Sequence, residues 1–345
     1  MLTACHNYCD QVTSEKKSGI RQLNALFQKI LRCPSCHYSL ARLDREFACL
    51  NEDCRARFGM VGEVPVLIRP EDQVFCAEAV VRPIANTKEN SGLHRAVASL
   101  LPEIDVNLNA ANNFNHLANL LNDKSLTDNE SPKVLIVGGR VTGAGVERLL
   151  KCGNNLEILH TDVTIGPNTE LICDAHFLPF TDGSFDAVVV QAVLEHVFDP
   201  VKCVSEISRV LKPGGFVYAE TPFIQQVHMG RYDFWRFTAL GHRRLFRDFE
   251  EVCSGATAGP GVALAWSYRY FLLSFARSNF SKSCLSAVAK LTAFPLKYID
   301  KYIVDTPGGL DGASGVYFLG CKMGSVLSDS KLLSEYKGAN EIENS

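Results

Sequence analysis

The chain of 345 residues has no long apolar run. Its most hydrophobic stretch, GVALAWSYRYFLLSFA, is broken by Arg269 and falls short of the roughly 18–20 residues that a membrane-spanning helix requires. The amino end, MLTACHNYCDQVTSEKK, has no apolar centre and does not read as a secretory signal. A large excess of charge of one sign is missing too. A formal net charge of −3 and a pI near 6.3 exclude a global attraction to nucleic acid. No internal repeat is visible. These absences lead us to expect a soluble, cytoplasmic protein. The length suggests about two domains, and 46% hydrophobic residues are enough for a sizeable core.

Cysteine is not scarce: there are 13, an odd number. Cys152, Cys173, Cys203 and Cys321 sit singly inside apolar patterns, where a reduced thiol acts as a small hydrophobe. That usage fits a reducing compartment better than a disulfide scaffold. The exception is a cluster, Cys33-x2-Cys36 and, twelve residues on, Cys49-x4-Cys54. Two close pairs on either side of a hairpin-like segment can set four thiolates tetrahedrally around one zinc ion. The alternative is four unconnected thiols. Cys5, His6 and Cys9 form a weaker group in a segment, 1–25, read as a flexible tail.

The end of the cluster, FGMVGEVPVLI, resembles a zinc-ribbon type found in the small activator protein of tRNA and protein methyltransferases, often fused ahead of bacterial methyltransferases. The resemblance spans Cys33 to Ile68 and implies a ribbon over 26–70. It departs from that type in the x4 spacing of the second pair. A zinc held by four cysteines has no open position for water, so the metal is expected to be structural.

Residues 71–131 carry helical patches separated by polar stretches and read as a linker, ending in NDKSLTDNESP before Pro132. From 132 the pattern changes. KVLIVGG, LEILHTDV, ELICDAHFLPF, FDAVVVQAVLEHV and GFVYAETPF read as buried strands. GAGVERLLKCG and DPVKCVSEISRVLKPGG read as the helices between them. Strands alternating with helices predict a Rossmann-like, seven-stranded, mostly parallel sheet with helices on both faces. Ligands on such sheets bind outside the carboxyl ends of the strands. Gly138 and Gly139, Asp162, Asp174 and Gln191 all fall at those ends. Bare backbone and carboxylates there suit an adenosyl group with a charged side chain: glycine admits close approach, and an aspartate accepts from ribose hydroxyls.

CDAHFLPFTDGSFDAVVVQAVLEHVFDPVKCVSEISRVLKPGGFVYAETPF resembles class I S-adenosylmethionine-dependent methyltransferases of the small-molecule type, in D-A-x-x-L-P-F, S-F-D-A-V, L-E-H and L-K-P-G-G. The resemblance covers about 132–225. It implies that Gly138 and Gly139 line the methionine part of the cofactor and that Asp162 holds the ribose. Asp174 and Ala175 would hold adenine, with Gln191 beside the sulfonium. The first motif departs from the family: Ile136-Val137 stands where an acidic residue is usual, and Arg140 replaces the third glycine. A nicotinamide dehydrogenase is disfavoured, because GGRVTGAG does not fit G-x-G-x-x-G in register.

Beyond the fifth strand, HMGRYDFWRFTALGHRRLFRDF supplies the candidate catalytic residues His228 and Tyr232. A similar YD-x-W-R-F-T segment occurs in methyltransferases of surface-polysaccharide biosynthesis. His228 is the expected base if the acceptor is a hydroxyl or a protonated amine. Arg236 is expected to pair with Asp233. Arg231, Arg243, Arg244 and Arg247 read most simply as a solvated helix face, or else as a grip on an acceptor phosphate or carboxylate. Leu285 to Val304 reads as an amphipathic helix broken at Pro295, within an insertion over about 262–305. It would pack on its own domain, close as a lid or lean on a membrane surface. GVYFLGCKM is the expected last strand of a domain spanning 132–322, and 323–345 is expected to be a flexible tail.

The expected function is methyl transfer from S-adenosylmethionine to oxygen or nitrogen of a small acceptor, a sugar- or lipid-linked metabolite. Zinc is the second cofactor, and the ribbon offers a surface for a protein partner. The alternatives are an RNA methyltransferase and a non-catalytic S-adenosylmethionine-binding scaffold.

Overall fold

The structure is a computed structural model that describes residues 23–71, 101–128, 130–153 and 155–339. The weaker group Cys5, His6 and Cys9 lies outside the described residues, as do most of the first expected tail and much of the expected linker.

A helical turn, α1 (Ala25–Gln28), is capped by Asn24. It leads into an antiparallel meander of β1 (Leu40–Arg42), β2 (Glu46–Cys49), β3 (Arg57–Val61) and β4 (Val64–Leu67). Next comes α2 (Ala110–Asp128), then β5 (Lys133–Val137), α3 (Val146–Cys152), β6 (Glu157–Asp162) and β7 (Leu171–Cys173). The chain continues through β8 (Phe185–Gln191), α4 (Pro200–Val210) and β9 (Leu211–Pro222). Helix α4 starts where its sequence dictates. Asp199 accepts from the Lys202 amide at 2.9 Å, Pro200 occupies the first turn, and Cys203, Val204, Ile207 and Val210 form one buried stripe.

The carboxyl-terminal part holds α5 (Ala239–Leu245), β10 (Phe249–Ala258), α6 (Pro260–Leu273), α7 (Asn279–Ala293), α8 (Leu296–Ile303), α9 (Pro307–Asp311), β11 (Gly315–Lys322) and α10 (Asp329–Ser334). The break expected at Pro295 separates α7 from α8. Fully buried Asp300 of α8 accepts three amides at the start of α6, from Gly259, Gly261 and Val262 at 3.0, 2.7 and 2.9 Å.

The strands run in the order β1-β2-β3-β4-β7-β6-β5-β8-β9-β11-β10. Neighbours from β4 to β9 in that order are parallel, and β11 lies antiparallel between β9 and β10. The expectation of seven strands is therefore corrected to eleven. Seven do form the inner sheet, but β7 leaves an open edge. β4, apolar and wholly buried, pairs with it in parallel (Val66 with Ile172, Leu67 with Cys173) and brings the cysteine meander into the same sheet.

Burial on both faces explains the continuous apolar strands. Alternate residues of β5 serve opposite layers. Leu135 and Val137 join Phe180, Phe185, Ile207 and the meander's Phe47 and Phe58. Val134 and Ile136 join Phe114, Leu117 and Leu121 of α2 and Val146 and Leu149 of α3. Within the stretch expected to be a flexible tail, α10 follows Leu327, whose carbonyl accepts from Arg247 at 2.8 and 3.2 Å. Arg243 is buried and pairs with Glu335 at 3.1 Å, and Arg244 lies 3.9 Å from Asp329. Arg243 and Arg247 thus fasten the carboxyl-terminal stretch, whereas Arg244 stays mostly exposed, as a solvated face would have it.

Candidate active site

At the end of β5 the chain reverses through Gly138 with φ near 76°, a conformation that favours glycine. A Cβ there would stand 2.3 Å from Val193 Cγ2. Further along the loop, Gly143 lies so close to Gln191 that a Cβ would fall 1.9 Å from Oε1. Gln191, ending β8, donates to the Ala144 carbonyl at 3.0 Å and to Glu220 at 2.8 Å, while its buried Oε1 has no hydrogen-bond partner. Glu220, at the end of β9, accepts from Asn107 at 2.9 and 3.0 Å and from the Tyr218 hydroxyl. Burial raises its carboxyl pKa.

After β8 the chain turns at Ala192, φ near 53°, and delivers Glu195 and His196. Glu195 is fully buried, and neither carboxylate oxygen has a hydrogen-bond partner. Burial pushes its pKa up to about 8. His196 Nδ1 lies 2.7 Å from the Tyr232 carbonyl, which can only accept, so Nδ1 carries the proton and Nε2 a bare lone pair. Burial lowers the pKa of His196. His228 is set by Asp233: its amide donates to Oδ2 at 2.8 Å, and its Nδ1 lies 3.4 Å from the same oxygen. Arg236 grips Asp233 at 2.5 and 2.8 Å, the pairing read from the sequence. Burial opposes ionisation of Asp233, but the Arg236 hydrogen bonds outweigh it and bring the pKa down to about 2.

Gly138, Gly143, Gln191, Glu195, Glu220 and His228 line one cleft of about 590 Å³ at the carboxyl ends of β5, β8 and β9, whereas His196, Asp233 and Arg236 are not among its lining residues. Of the residues expected from the sequence, Gly138, Gln191 and His228 lie on its wall, together with Asp105, Glu195 and Glu220. Gly139 follows the turn and donates its amide to the Thr161 carbonyl at 2.8 Å. Asp162 and Asp174 are not among the lining residues. Asp162 accepts from the Arg140 amide at 3.3 Å and from the amide and hydroxyl of Thr164, each at 2.9 Å. Asp174 caps the turn 175–177, accepting from the His176 amide at 2.9 Å and lying 2.6 Å from its Nδ1; Ala175 is buried beside it. Tyr232 contributes its carbonyl to His196, and its ring lies 4.9 Å from the Arg231 guanidinium.

Sequence reasoning missed Glu195, His196 and Glu220. The signal for the first two was the L-E-H triplet just past a strand end, treated there only as a family marker. Away from the cleft, the Sγ atoms of Cys33, Cys36, Cys49 and Cys54 all lie within 4.8 Å of one another, with Cys33–Cys54 at 3.8 Å and Cys36–Cys49 at 3.4 Å. None of the four is joined in a disulfide.

Residues 151–219, from the end of α3 to within β9, match the family model described as a methyltransferase domain. The ubiquinone/menaquinone biosynthesis C-methyltransferase UbiE of Brucella canis is 35% identical over 115 residues, 31% of this chain and 37% of that protein. Its Brucella anthropi counterpart is also 35% identical over 115 residues, 31% of this chain and 38% of that protein. The chain thus spans less than two fifths of the length of these curated relatives. Among solved structures, Haemonchus contortus phosphoethanolamine N-methyltransferase 2, with phosphomonomethylethanolamine and S-adenosylhomocysteine, aligns at a TM-score of 0.37 and 17% identity over 56% of this chain and 49% of that one. A chain from the complex containing the Haloferax volcanii Trm112 methyltransferase activator aligns at 0.37 and 16% identity over 64% of this chain and 96% of that one. The match over 151–219 and the curated relatives identify that segment as part of a methyltransferase domain.

Proposed function

We propose that the chain is an S-adenosylmethionine-dependent methyltransferase acting on oxygen or nitrogen of a small, sugar- or lipid-linked acceptor, with a structural zinc in its cysteine meander. The observation that carries this reading is the single cleft joining the Gly138 turn and Gln191 to Glu195 and His228. The match of 151–219 supports methyl chemistry there.

The residues fit the cofactor. Gln191 Oε1 and Thr221 Oγ1 are buried, line the cleft and have no hydrogen-bond partner, so a ligand with donor groups would satisfy them. Gly138 and Gly139 would present bare backbone to the methionine part, and Gln191 would stand beside the sulfonium. Asp105 and Glu220 bring acidity into the same cleft, although the position before the turn has none. Asp162 would hold the ribose, and Asp174 with Ala175 the adenine. Asp162 keeps lone pairs beyond those engaged in its own loop, since a carboxylate offers about four acceptor sites. The bound cofactor supplies a methyl carbon already activated by a sulfonium. Holding the acceptor atom in line with that carbon lowers the barrier by about 7–11 kcal/mol. His228, with about a third of its side chain exposed beside buried Glu195, would receive the acceptor's proton.

The four cysteines fit zinc. Four ligands about 2.3 Å from a tetrahedral ion lie about 3.8 Å apart, close to the 3.8 and 3.4 Å observed. Cys33, Cys36, Cys49 and Cys54 would close the coordination sphere and tie the loops of the meander together.

S-adenosylhomocysteine is expected to raise the melting temperature of the purified protein, and NAD to leave it unchanged. Gly138→Val should abolish that rise, because it places a branched side chain at positive φ against Val193. A rise retained in the variant would remove Gly138 from the cofactor site. His228→Ala is expected to lower turnover by about 10²–10⁴-fold with the S-adenosylhomocysteine shift intact; unchanged turnover removes it from the reaction. Tritiated methyl transfer to cell fractions should label small molecules or lipid. Label in RNA would move the assignment to an RNA methyltransferase, and no label would leave a binding scaffold.

A further inference from the structure

The acceptor end of the cleft holds three side chains whose hydrogen bonds leave them incomplete. Glu195 Oε1 lies 3.7 Å from His196 Nε2 and 3.8 Å from His228 Nε2, and the two nitrogens are 3.1 Å apart. By these separations, one point in their common plane is about 2.1 Å from all three atoms, within the roughly 2.0–2.2 Å of zinc–nitrogen and zinc–oxygen bonds. A direct hydrogen bond between the imidazoles would satisfy the nitrogens but leave both Glu195 oxygens unpaired. A buried carboxylate without partners is costly, and Glu195 is fully buried.

The surroundings of both histidines suit coordination. The Tyr232 carbonyl holds the proton of His196 on Nδ1 and so aims the Nε2 lone pair inward. His228 Nδ1 backs onto Asp233, itself anchored by Arg236. A carboxylate or carbonyl behind each imidazole is the usual support of a metal-ligating histidine. Among the described residues, this trio and the four cysteines are the two groups of converging metal-ligand atoms.

We propose that Glu195, His196 and His228 bind a divalent transition-metal ion at the acceptor end of the cleft. Two imidazoles and one carboxylate suit zinc, cobalt, nickel or ferrous iron better than magnesium or calcium. Three protein ligands leave positions open, as four cysteines do not. Glu195 and His228 line the cleft, so those positions are open to its contents. They would take water or an oxygen donor of the acceptor, which favours a hydroxyl-bearing acceptor over an amine. With the ion bound, the His228 Nε2 lone pair is occupied, so the metal, by lowering the pKa of a hydroxyl held on it, would take over from His228 the task of freeing the acceptor oxygen of its proton, which would pass to water. The use of the ion in turnover rests on the methyltransferase reading; its binding does not.

The test is a cobalt(II) titration of the zinc-loaded full-length protein, followed by calorimetry and visible absorption. One further equivalent is expected to bind without the thiolate-to-cobalt band that exchange into the four cysteines would produce. Glu195→Gln and His228→Gln should each weaken that equivalent by about 100-fold or more, and Asp233→Asn by about 10–100-fold. Two outcomes overturn the proposal: wild-type protein that takes up no metal beyond the cysteine equivalent, or variants that bind the second equivalent as tightly as wild type. The S-adenosylhomocysteine melting shift on the same samples separates the two readings. Cobalt bound without that shift would retire the methyltransferase and keep the metal site. The shift without cobalt would do the reverse.

Discussion

Acidification from pH 7 to pH 4 should cost the native chain about 3 kcal/mol at one side chain, His242. His242 is 1% exposed and packed against the rings of Phe237 and Phe246, and its Nε2 has no hydrogen-bond partner. Burial alone brings its pKa down to about 3. The unfolded chain takes up that proton near pH 6.5, while the native chain resists it until about pH 3. The stabilisation is therefore complete above pH 6.5 and is lost as pH falls towards 3, by about 1.4 kcal/mol per unit. His242→Phe removes both the proton acceptor and an unpaired buried nitrogen, and its ring suits the aromatic surroundings. The variant should match or exceed wild type at pH 7 and lose about 3 kcal/mol less than wild type by pH 4. Denaturant unfolding at the two pH values measures this. Equal losses in the two proteins would mean that the imidazole is charged or solvated in the native state.

His242 was not legible in the sequence. It lies in HRRLFRDF, an arginine-rich run that reads as a solvated face; only the docking of α10 and the carboxyl-terminal stretch shows that part of it is buried. The strands β5 to β9 were legible, because parallel strands buried on both faces leave continuous apolar runs that end where glycine or a carboxylate begins. β4 was ambiguous for the opposite reason. VPVL is short and contains Pro65, and nothing local says whether it ends a meander or joins a second sheet. Its partner, β7, lies about a hundred residues on. The acceptor end failed in the same way. Glu195 and His196 are adjacent, but the groups that give them meaning, His228 and the Tyr232 carbonyl, come from the loop after β9. A pattern along one strand reports burial; it does not report which distant loop folds over it.

Loss of the zinc proposed for the four cysteines should destabilise the sheet as well as the meander. Parallel pairing of β4 with β7 is one link. The Arg32 amide donates to the Pro179 carbonyl at 2.8 Å, and the Thr181 amide to the Ile30 carbonyl at 2.9 Å. Cys33 and Cys49 share a hydrophobic core with Leu135, Phe180 and Phe185. A structural zinc contributes about 10–16 kcal/mol in small metal-folded peptides, as much as the about 5–15 kcal/mol that holds a whole domain together. Removing it would unfold the meander, strip β7 of its partner and expose a bare strand edge. β7 ends at Cys173, next to Asp174 and Ala175, so the disturbance runs to the residues assigned to adenine. Cys36→Ser is therefore expected to lose about one zinc per chain, to lower the single melting transition by more than 10 °C, and to weaken S-adenosylhomocysteine binding by about tenfold or more. Amide exchange should quicken together in 30–33 and 171–181. If the zinc is lost while β7 stays protected and the ligand binds as before, the meander is an independent appendage and its pairing with the sheet contributes nothing to the site.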